Sequence, residues 1–496
     1  MLDKIDPTVT ISRKDFKAAM AGLEGKLAEL QQRVKAAGFP VLILFEGWSA
    51  AGKGLLLPKL LNPLDPRYFE VRTFAKVNEE AAMRPFLWRY WRDLPAKGRI
   101  GVYDRSWHRT ALPQGQKKRG LSARESENFY QDVNAFEKTL IDDGTLIIKL
   151  FLHVSREEQK RRFDELRKNP GTAWRVDSAD LQQNKQYNAN LKKFSQMMKK
   201  TGGNGSPWHI IEADDKHYAA LKMIRVIIGR IEAHIGNRLA EAPSGSNDNP
   251  AATADPAARW LPAVDLTERI SKEDYKEKLT FYQNKISELG FLLYARRRSV
   301  VFVYEGWDAS GKGGNIKRLT QRLDPRGYEV IPIGAPSADE LSRCYLWRFM
   351  RRMPKDGHLA IFDRSWYGRV MVERVEGLAS EAEWRRAYAE INAAERHLYN
   401  HGTIIFKFFL HIDKDEQLRR FEERAADPLK RYKITDEDWR NRDKWAAYEK
   451  SAEEMLARTS TEYAPWLVVA GNDKRRARIT ALEYACGVLE RELGKA

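Results

Sequence analysis

Five residues, Gly306, Gly311, Lys312, Gly313 and Gly314, fall within the run Gly306-Trp307-Asp308-Ala309-Ser310-Gly311-Lys312-Gly313-Gly314, a spacing that could hold a phosphate group. Glycines let successive backbone N–H groups turn inward on an anion, and Lys312 adds a full positive charge. Two positions depart from the usual phosphate-loop pattern. Gly313 stands where Ser or Thr ordinarily ligates Mg²⁺, and a carboxylate, Asp308, lies inside the cradle. An uncompensated carboxylate repels phosphate, so Asp308 is expected to face a divalent metal, Mg²⁺, that bridges it to phosphate. Asp363 ends the apolar run Leu359-Ala360-Ile361-Phe362 and could hold the same metal, directly or through water, or else cap a helix. Arg364 beside it is placed to hold the transferred phosphate or to form a structural ion pair. Arg343, Arg348, Arg351, Arg352 and Lys355 lie on or just after one expected helix, and Arg369 and Arg374 follow Asp363. The stretch 421–433, broken by Pro428 and basic at its end, reads as a mobile lid over phosphates. Arg348, Arg352, Lys430 and Lys433 are the cations assigned to phosphate from these two regions. Trp307 is the aromatic residue whose place in the loop suggests stacking on a ligand rather than core packing.

The elements that must position these groups come from the apolar pattern. Val300-Val301-Phe302-Val303-Tyr304 reads as a buried strand and Asn315-Ile316-Lys317-Arg318-Leu319 as helix, so the loop has the strand–loop–helix setting a phosphate site needs. The same pattern occurs earlier. Gly47-Trp48-Ser49-Ala50-Ala51-Gly52-Lys53-Gly54 precedes its counterpart by 259 positions, and so does Asp104-Arg105-Ser106-Trp107 relative to Asp363-Arg364-Ser365-Trp366. Phe151-Leu152-His153 and Pro207-Trp208 recur 258 positions later. A register this constant means duplication. Each copy opens with an amphipathic helix carrying Phe16, Met20, Leu23, Leu27, Leu30 and Val34, or Tyr275, Leu279, Tyr282, Ile286, Leu289 and Leu293. Later strands are predicted at 69–74 and 328–333, ending at Asp104 and Asp363, at 146–152 and 404–410, and near 208–211 and 466–470. A Trp- and Arg-rich helix is predicted over 85–93 and 342–353. Strands alternating with helices imply an α/β fold, two tandem copies of one domain with phosphate-binding loops, each a parallel sheet flanked by helices. The domains are read as 1–239 and 261–496, with 240–260, rich in Ala, Pro, Ser, Asn and Asp, as linker.

Composition narrows the partners. The chain has 496 residues, 43% hydrophobic and 31% charged, with a formal net charge of +17. Such a balance favours polyanions. Two cysteines exclude a disulfide framework and fit a reducing cytoplasm. No secretory signal or membrane-length apolar run is evident, and the nine histidines show no zinc-ligand spacing. Nucleic acid is not the expected partner, because repeated exposed aromatics of the single-strand-binding kind are lacking. The sequence leaves the oligomeric state open, a homo-oligomer included.

Glu305-Gly306-Trp307-Asp308-Ala309-Ser310-Gly311-Lys312-Gly313-Gly314, Phe362-Asp363-Arg364-Ser365-Trp366-Tyr367 and Phe409-Leu410-His411-Ile412 resemble polyphosphate kinase 2. The stretches Asp427-Pro428-Leu429-Lys430 and Ala464-Pro465-Trp466 are similar to that family's lid and final strand. The resemblance covers both copies. It implies two tandem P-loop kinase-like domains, each with a helical lid, Mg²⁺ dependence and transfer of a phosphoryl group from inorganic polyphosphate to a nucleotide. The fused two-copy form implies AMP as acceptor, giving ADP. Nucleoside diphosphates as acceptor, or ATP as donor, are the competing readings. The first copy departs from the pattern: Ser49 replaces the loop Asp, Leu55 replaces a Gly, and 169–175 reads Asn-Pro-Gly-Thr-Ala-Trp-Arg, whereas Lys53, Asp104 and Arg105 remain. The first copy is therefore expected to be catalytically silent.

Overall fold

A computed structural model describes residues 2–74, 77–111, 122–240, 259–429 and 431–494. The expected linker lies almost wholly outside these residues, as does Lys430. Contacts divide the chain into two units: Met1–Glu79, Arg89–Ser244 and Ala338–Trp347 form one, and Glu80–Trp88, Gly245–Ser337 and Arg348–Ala496 the other.

The first unit carries β1 (Val41–Gly47), β2 (Phe69–Thr73), β3 (Ile100–Asp104), β4 (Leu146–His153) and β5 (Trp208–Glu212) in the order β2-β3-β1-β4-β5. All its pairings are parallel. Its helices of eight residues or more are α1 (Arg13–Ala37), α2 (Lys53–Leu61), α3 (Ala123–Asp142), α4 (Arg156–Lys168), α5 (Ser178–Lys185), α6 (Tyr187–Thr201) and α7 (Lys216–Ala240). The second unit repeats the plan with β6 (Val300–Gly306), β7 (Tyr328–Pro332), β8 (Leu359–Asp363), β9 (Ile404–His411) and β10 (Trp466–Ala470), again all parallel, in the order β10-β9-β6-β8-β7. Its helices are α8 (Lys272–Ala295), α9 (Lys312–Thr320), α10 (Glu381–His401), α11 (Lys414–Ala426), α12 (Asp436–Asp443), α13 (Trp445–Thr459) and α14 (Lys474–Gly494). Among the described residues, no helix is long and apolar enough to cross a membrane.

Every strand expected from the apolar runs is present. The central strands are near-continuous hydrophobic runs because both sheet faces are covered. On one face of the second sheet, Val300, Phe302 and Tyr304 of β6 and Ile404, Phe406 and Phe408 of β9 pack against Leu289 of α8, Ile316 of α9 and Leu482 of α14. Phe302 stacks on Phe406 with ring centroids 4.6 Å apart. One expectation fails in extent: the Trp- and Arg-rich helices shrink to Trp88–Arg92 and Trp347–Met350. Their indole rings are buried, with Trp88, Trp91 and Trp347 each 5% exposed or less. That tertiary anchoring outweighs helix propensity over the flanking residues.

The central strand of each sheet feeds the glycine loop under a tight steric condition. Gly306 has φ +130°, and a Cβ there would lie 2.3 Å from the Leu410 carbonyl oxygen of β9. Gly47 meets the Leu152 oxygen at the same distance. The neighbour is backbone and cannot yield without breaking the β6–β9 ladder. Gly306→Ala is therefore expected to cost at least about 3 kcal/mol, the sum of left-handed strain and a displaced ladder. A lowered denaturant midpoint for the second unit, with Gly313→Ala (open space around its Cβ) as the near-neutral control, is the measurement.

Candidate functional site

At the carboxyl end of β6 the chain turns through Ala309, held at φ +61°, and Gly311, at φ +108°, before α9 begins at Lys312. Gly311 caps α9 without a side chain, so the first-turn amides keep their hydrogen-bonding capacity and the helix end its partial positive charge. Lys312 Nζ bends over the loop and donates to the Gly306 and Trp307 carbonyls at 2.8 and 3.0 Å. Burial pushes its amine below the ordinary lysine value, against the opposing pull of Asp308, Asp363 and Glu305. Trp307 does not face a ligand. Its ring is buried and stacks on Trp445 at 4.0 Å, and its Nε1 donates to His411 Nδ1 at 2.8 Å.

Asp308 is gripped from two sides. Arg364 donates to Oδ1 at 2.8 Å, and Asn441 of α12 donates to Oδ2 at 3.0 Å. Burial alone would raise this carboxyl group; the charges of Lys312 and Arg364 and the two hydrogen bonds hold it below the ordinary value instead. Arg364 sits at φ +64°, a strained conformation for a non-glycine residue. That turn, whose amide donates to the Tyr304 carbonyl at 3.0 Å, directs the guanidinium at the loop. Asn441 is itself braced by the Tyr448 hydroxyl at 3.1 Å, and Gln417 of α11 donates to the Asp308 carbonyl at 3.2 Å.

Asp363 ends β8 in register with Tyr304 of β6, which brings it to the same sheet edge. Helix capping is not its work: Ser365 takes that role, accepting from the Tyr367 amide. Among the described residues the Asp363 carboxylate has no hydrogen-bond or ion-pair partner, whereas its field reaches Lys312, Glu305 and Tyr304. Two carboxylates, one of them unengaged, suit Mg²⁺. That ion takes hard oxygen donors and is ordinarily held by one or two carboxylates, substrate phosphates and water rather than by an all-protein cage. No cluster of three or more acidic, His or Cys side chains that could form such a cage occurs among the described residues.

The other assigned cations are not gathered on the loop in this way. Arg348 donates to the Gly334 carbonyl at 3.0 Å, and Arg352 is paired with Glu329 of β7. Lys433 closes the short turn Arg431–Lys433 that precedes α12.

Four supports escaped the sequence reading. Glu305 is buried beneath the loop and accepts from Ser365 Oγ at 2.7 Å. Arg420, 2% exposed, donates to the Ala309 and Ser310 carbonyls at 2.9 Å each and to the Gly471 carbonyl at 2.6 Å, tying loop, α11 and the end of β10 together. Lys407, the one charge in the apolar run of β9, donates to Glu395 at 2.8 Å, Tyr367 at 2.9 Å and the Thr459 carbonyl at 2.6 Å. Glu395 also accepts from Trp366 Nε1, so a buried network fixes the turn that follows Arg364. The fourth is Asn441. Aligning the copies 258 positions apart sets it against Gln183, which was the available signal.

The first unit repeats the frame with a different centre. Lys53 donates to the Trp48 carbonyl at 3.0 Å, and Trp48 Nε1 donates to His153 Nδ1 at 3.0 Å. Ser49 has no carboxylate to offer, and its amide donates to Gln183 Oε1 at 3.0 Å. The longer amide side chain thus enters the space where Asn441 meets Asp308 in the second unit.

Comparison with known proteins agrees with this duplicated architecture. The family model of polyphosphate kinase 2 matches residues 10–238 and again 269–495. A polyphosphate:AMP phosphotransferase of Pseudomonas syringae pv. tomato is 40% identical over 97% of this chain and 96% of its own. One from Pseudomonas aeruginosa is 39% identical over 99% of both chains. A crystal structure described as a polyphosphate kinase 2 from Pseudomonas aeruginosa PA01 superposes with a TM-score of 0.85 at 36% identity, covering all of both chains.

The tryptophan–histidine contacts carry a pH dependence. Burial pushes both His153 and His411 down to about 4 from an ordinary 6.5, and protonation at Nδ1 would remove the acceptor each tryptophan uses. With the folded value below the unfolded one, the unfolded chain binds more protons as pH falls, so this contribution is complete above 6.5 and is lost towards 4. The melting temperature is expected to drop between pH 7 and 5, and to drop less in His411→Asn.

Proposed function

The chain belongs to the polyphosphate kinase 2 family, and we propose that the second copy alone carries its chemistry. The protein transfers a phosphoryl group from inorganic polyphosphate to AMP. The terminal P–O–P link of polyphosphate breaks, an oxygen of the AMP phosphate forms the new P–O bond, and ADP and a chain shorter by one phosphate result. The observation that carries the assignment is the Arg364–Asp308 pair, 2.8 Å long at the mouth of the glycine loop, which the first copy cannot form because Ser49 stands in place of the acid.

In this reading Lys312 and the uncapped amides of α9 hold the terminal phosphoryl oxygens, and Arg364 offsets charge on the group in transfer. The attacking AMP oxygen is already anionic, so alignment and charge neutralisation matter more than a general base. Asp308 and Asp363 would hold Mg²⁺, which when bound neutralises phosphate charge. Asn441 and Arg364 fix the orientation of Asp308 towards it. Since α12 follows the basic stretch 421–433, Asn441 ties that lid to the loop. Arg348, Arg352, Lys430 and Lys433 are read as contacts along the polyphosphate chain, and Arg352 would have to exchange Glu329 for phosphate to serve. Residues 240–260 are read as the linker between copies. Both cysteines, Cys344 and Cys486, are buried and neither forms a disulfide, in keeping with a cytoplasmic location.

ADP formation from polyphosphate, AMP and Mg²⁺ is the deciding assay. Asp308→Asn is expected to lower turnover by about 100-fold or more, the scale of losing a group that stabilises transition-state charge; turnover near that of the wild type would remove Asp308 from the metal site. Asn441→Ala, which leaves the carboxylate in place and removes one of its supports, is expected to cost about 10-fold, with the apparent Mg²⁺ requirement shifted upward.

A further inference from the structure

We propose that the glycine loop of the first copy is a phosphoryl-oxyanion site that works without a divalent cation. The inference rests on the reading of the second copy as the metal-dependent centre, because it comes from setting the two loops side by side.

The backbone cradle is the same in both. Gly47, Ala50 and Gly52 have φ +135°, +55° and +99°, against +130°, +61° and +108° for Gly306, Ala309 and Gly311. The nine-residue helix α2 opens at Lys53 behind a Gly52 cap that carries no side chain, as α9 does behind Gly311. Gln183 Oε1 accepts from the Ser49 amide and from Gln159 Nε2, and the Leu55 amide donates to the Gly52 carbonyl. This leaves the Lys53 and Gly54 amides of the first turn of α2 their hydrogen-bonding capacity, with the Lys53 amine bent over the loop onto the Trp48 carbonyl.

The charges differ. The charged groups that act most strongly on Lys312 are Asp308, Arg364, Asp363 and Glu305, which with the lysine total −1. Those that act most strongly on Lys53 are Asp104, Glu46, Arg105 and Arg109, which with the lysine total +1. A divalent ion would bring the second copy from −1 to +1; the first stands at +1 already. The change has two sources: Ser49 removes an acid, and Arg109 adds a cation where the aligned residue is Gly368.

Arg105 points to the ligand. It holds the same strained turn as Arg364, at φ +70°. Arg364 spends its guanidinium on Asp308, but Arg105 has no ion pair among the described residues, and its Nε is buried without a hydrogen-bond partner. A strained, unpaired guanidinium beside an uncapped helix start and a lysine matches the oxygens of a phosphoryl group. Two sources carry that chemistry, polyphosphate and the phosphate of AMP. On the polyphosphate arm the first copy would be a second, unreactive grip on the chain, where no bond breaks.

The test is equilibrium binding to the full chain carrying Lys312→Ala, which disables the second cradle, in EDTA. Medium-chain polyphosphate and AMP serve as separate probes. One metal-independent site per chain is expected, weakened at least tenfold by Arg105→Ala but not by Arg67→Ala, an exposed arginine ion-paired with Asp65. The probe that binds identifies the source. Absence of binding in EDTA for both probes overturns the proposal, as does binding that Arg105→Ala leaves unchanged or that Arg67→Ala weakens equally. Ser49→Asp separates charge from misfolding: binding in EDTA is expected to fall and to return with Mg²⁺, whereas a fall that Mg²⁺ does not reverse counts against the charge argument. Loss of turnover in Asp308→Asn is read independently, so failure of the second-copy assignment and failure of this site give different results.

Discussion

A single carboxylate placed inside an anion cradle is the constraint around which the second unit is arranged. Asp308 would repel phosphate and be costly to bury alone. It is tolerable because Arg364 and Asn441 each bond one of its oxygens and Lys312 adds a third favourable charge or dipole. Each partner then needs its own support. Arg364 needs a strained turn at the end of β8, the turn needs the buried Lys407–Glu395–Tyr367 network, and Asn441 needs α12 braced by Tyr448. The first unit lacks the acid but keeps the buried support, with Lys149 and Trp107 both donating to Glu137. There Ser49 and Gln183 meet through a backbone amide, and Arg105 keeps its turn without its partner.

The scaffold beneath is less negotiable. The central strand of each sheet must pass a neighbouring carbonyl so closely that only glycine fits, and the loop is then fastened by an arginine of the helix that follows β9 or β4. Arg420 and Arg162 both bond the carbonyl at the left-handed loop residue, Ala309 or Ala50, and a carbonyl past the last strand, Gly471 or Ala213. Duplication preserved this frame in both copies and allowed the charges within it to diverge. On the proposed reading, chemistry in one copy and binding in the other would be two uses of the same geometry, separated by the net charge near one lysine.

Apolar runs, glycine spacing and the constant offset between copies determined the parallel α/β units, the ten strands and the loop. These depend on local pattern: a buried parallel strand is a continuous hydrophobic run, and a helix start after a strand requires particular backbone freedom. The assignment of Asp308, Lys312, Asp363 and Arg364 to one site was legible for the same reason, because strands that pair in register bring their ends together. The partners of those residues were not. Asn441 lies 133 positions from Asp308, Arg420 lies 111 from Ala309, and Lys407 reads in sequence as a flaw in an apolar strand. Only the packing of α11 and α12 over the loop, and of α10 beneath β9, turned them into supports, since a hydrogen bond depends on distances of about 3 Å that no spacing rule records. It was likewise the tertiary structure that stacked Trp307 on Trp445, and that left the Arg105 Nε buried without a hydrogen-bond partner among the described residues.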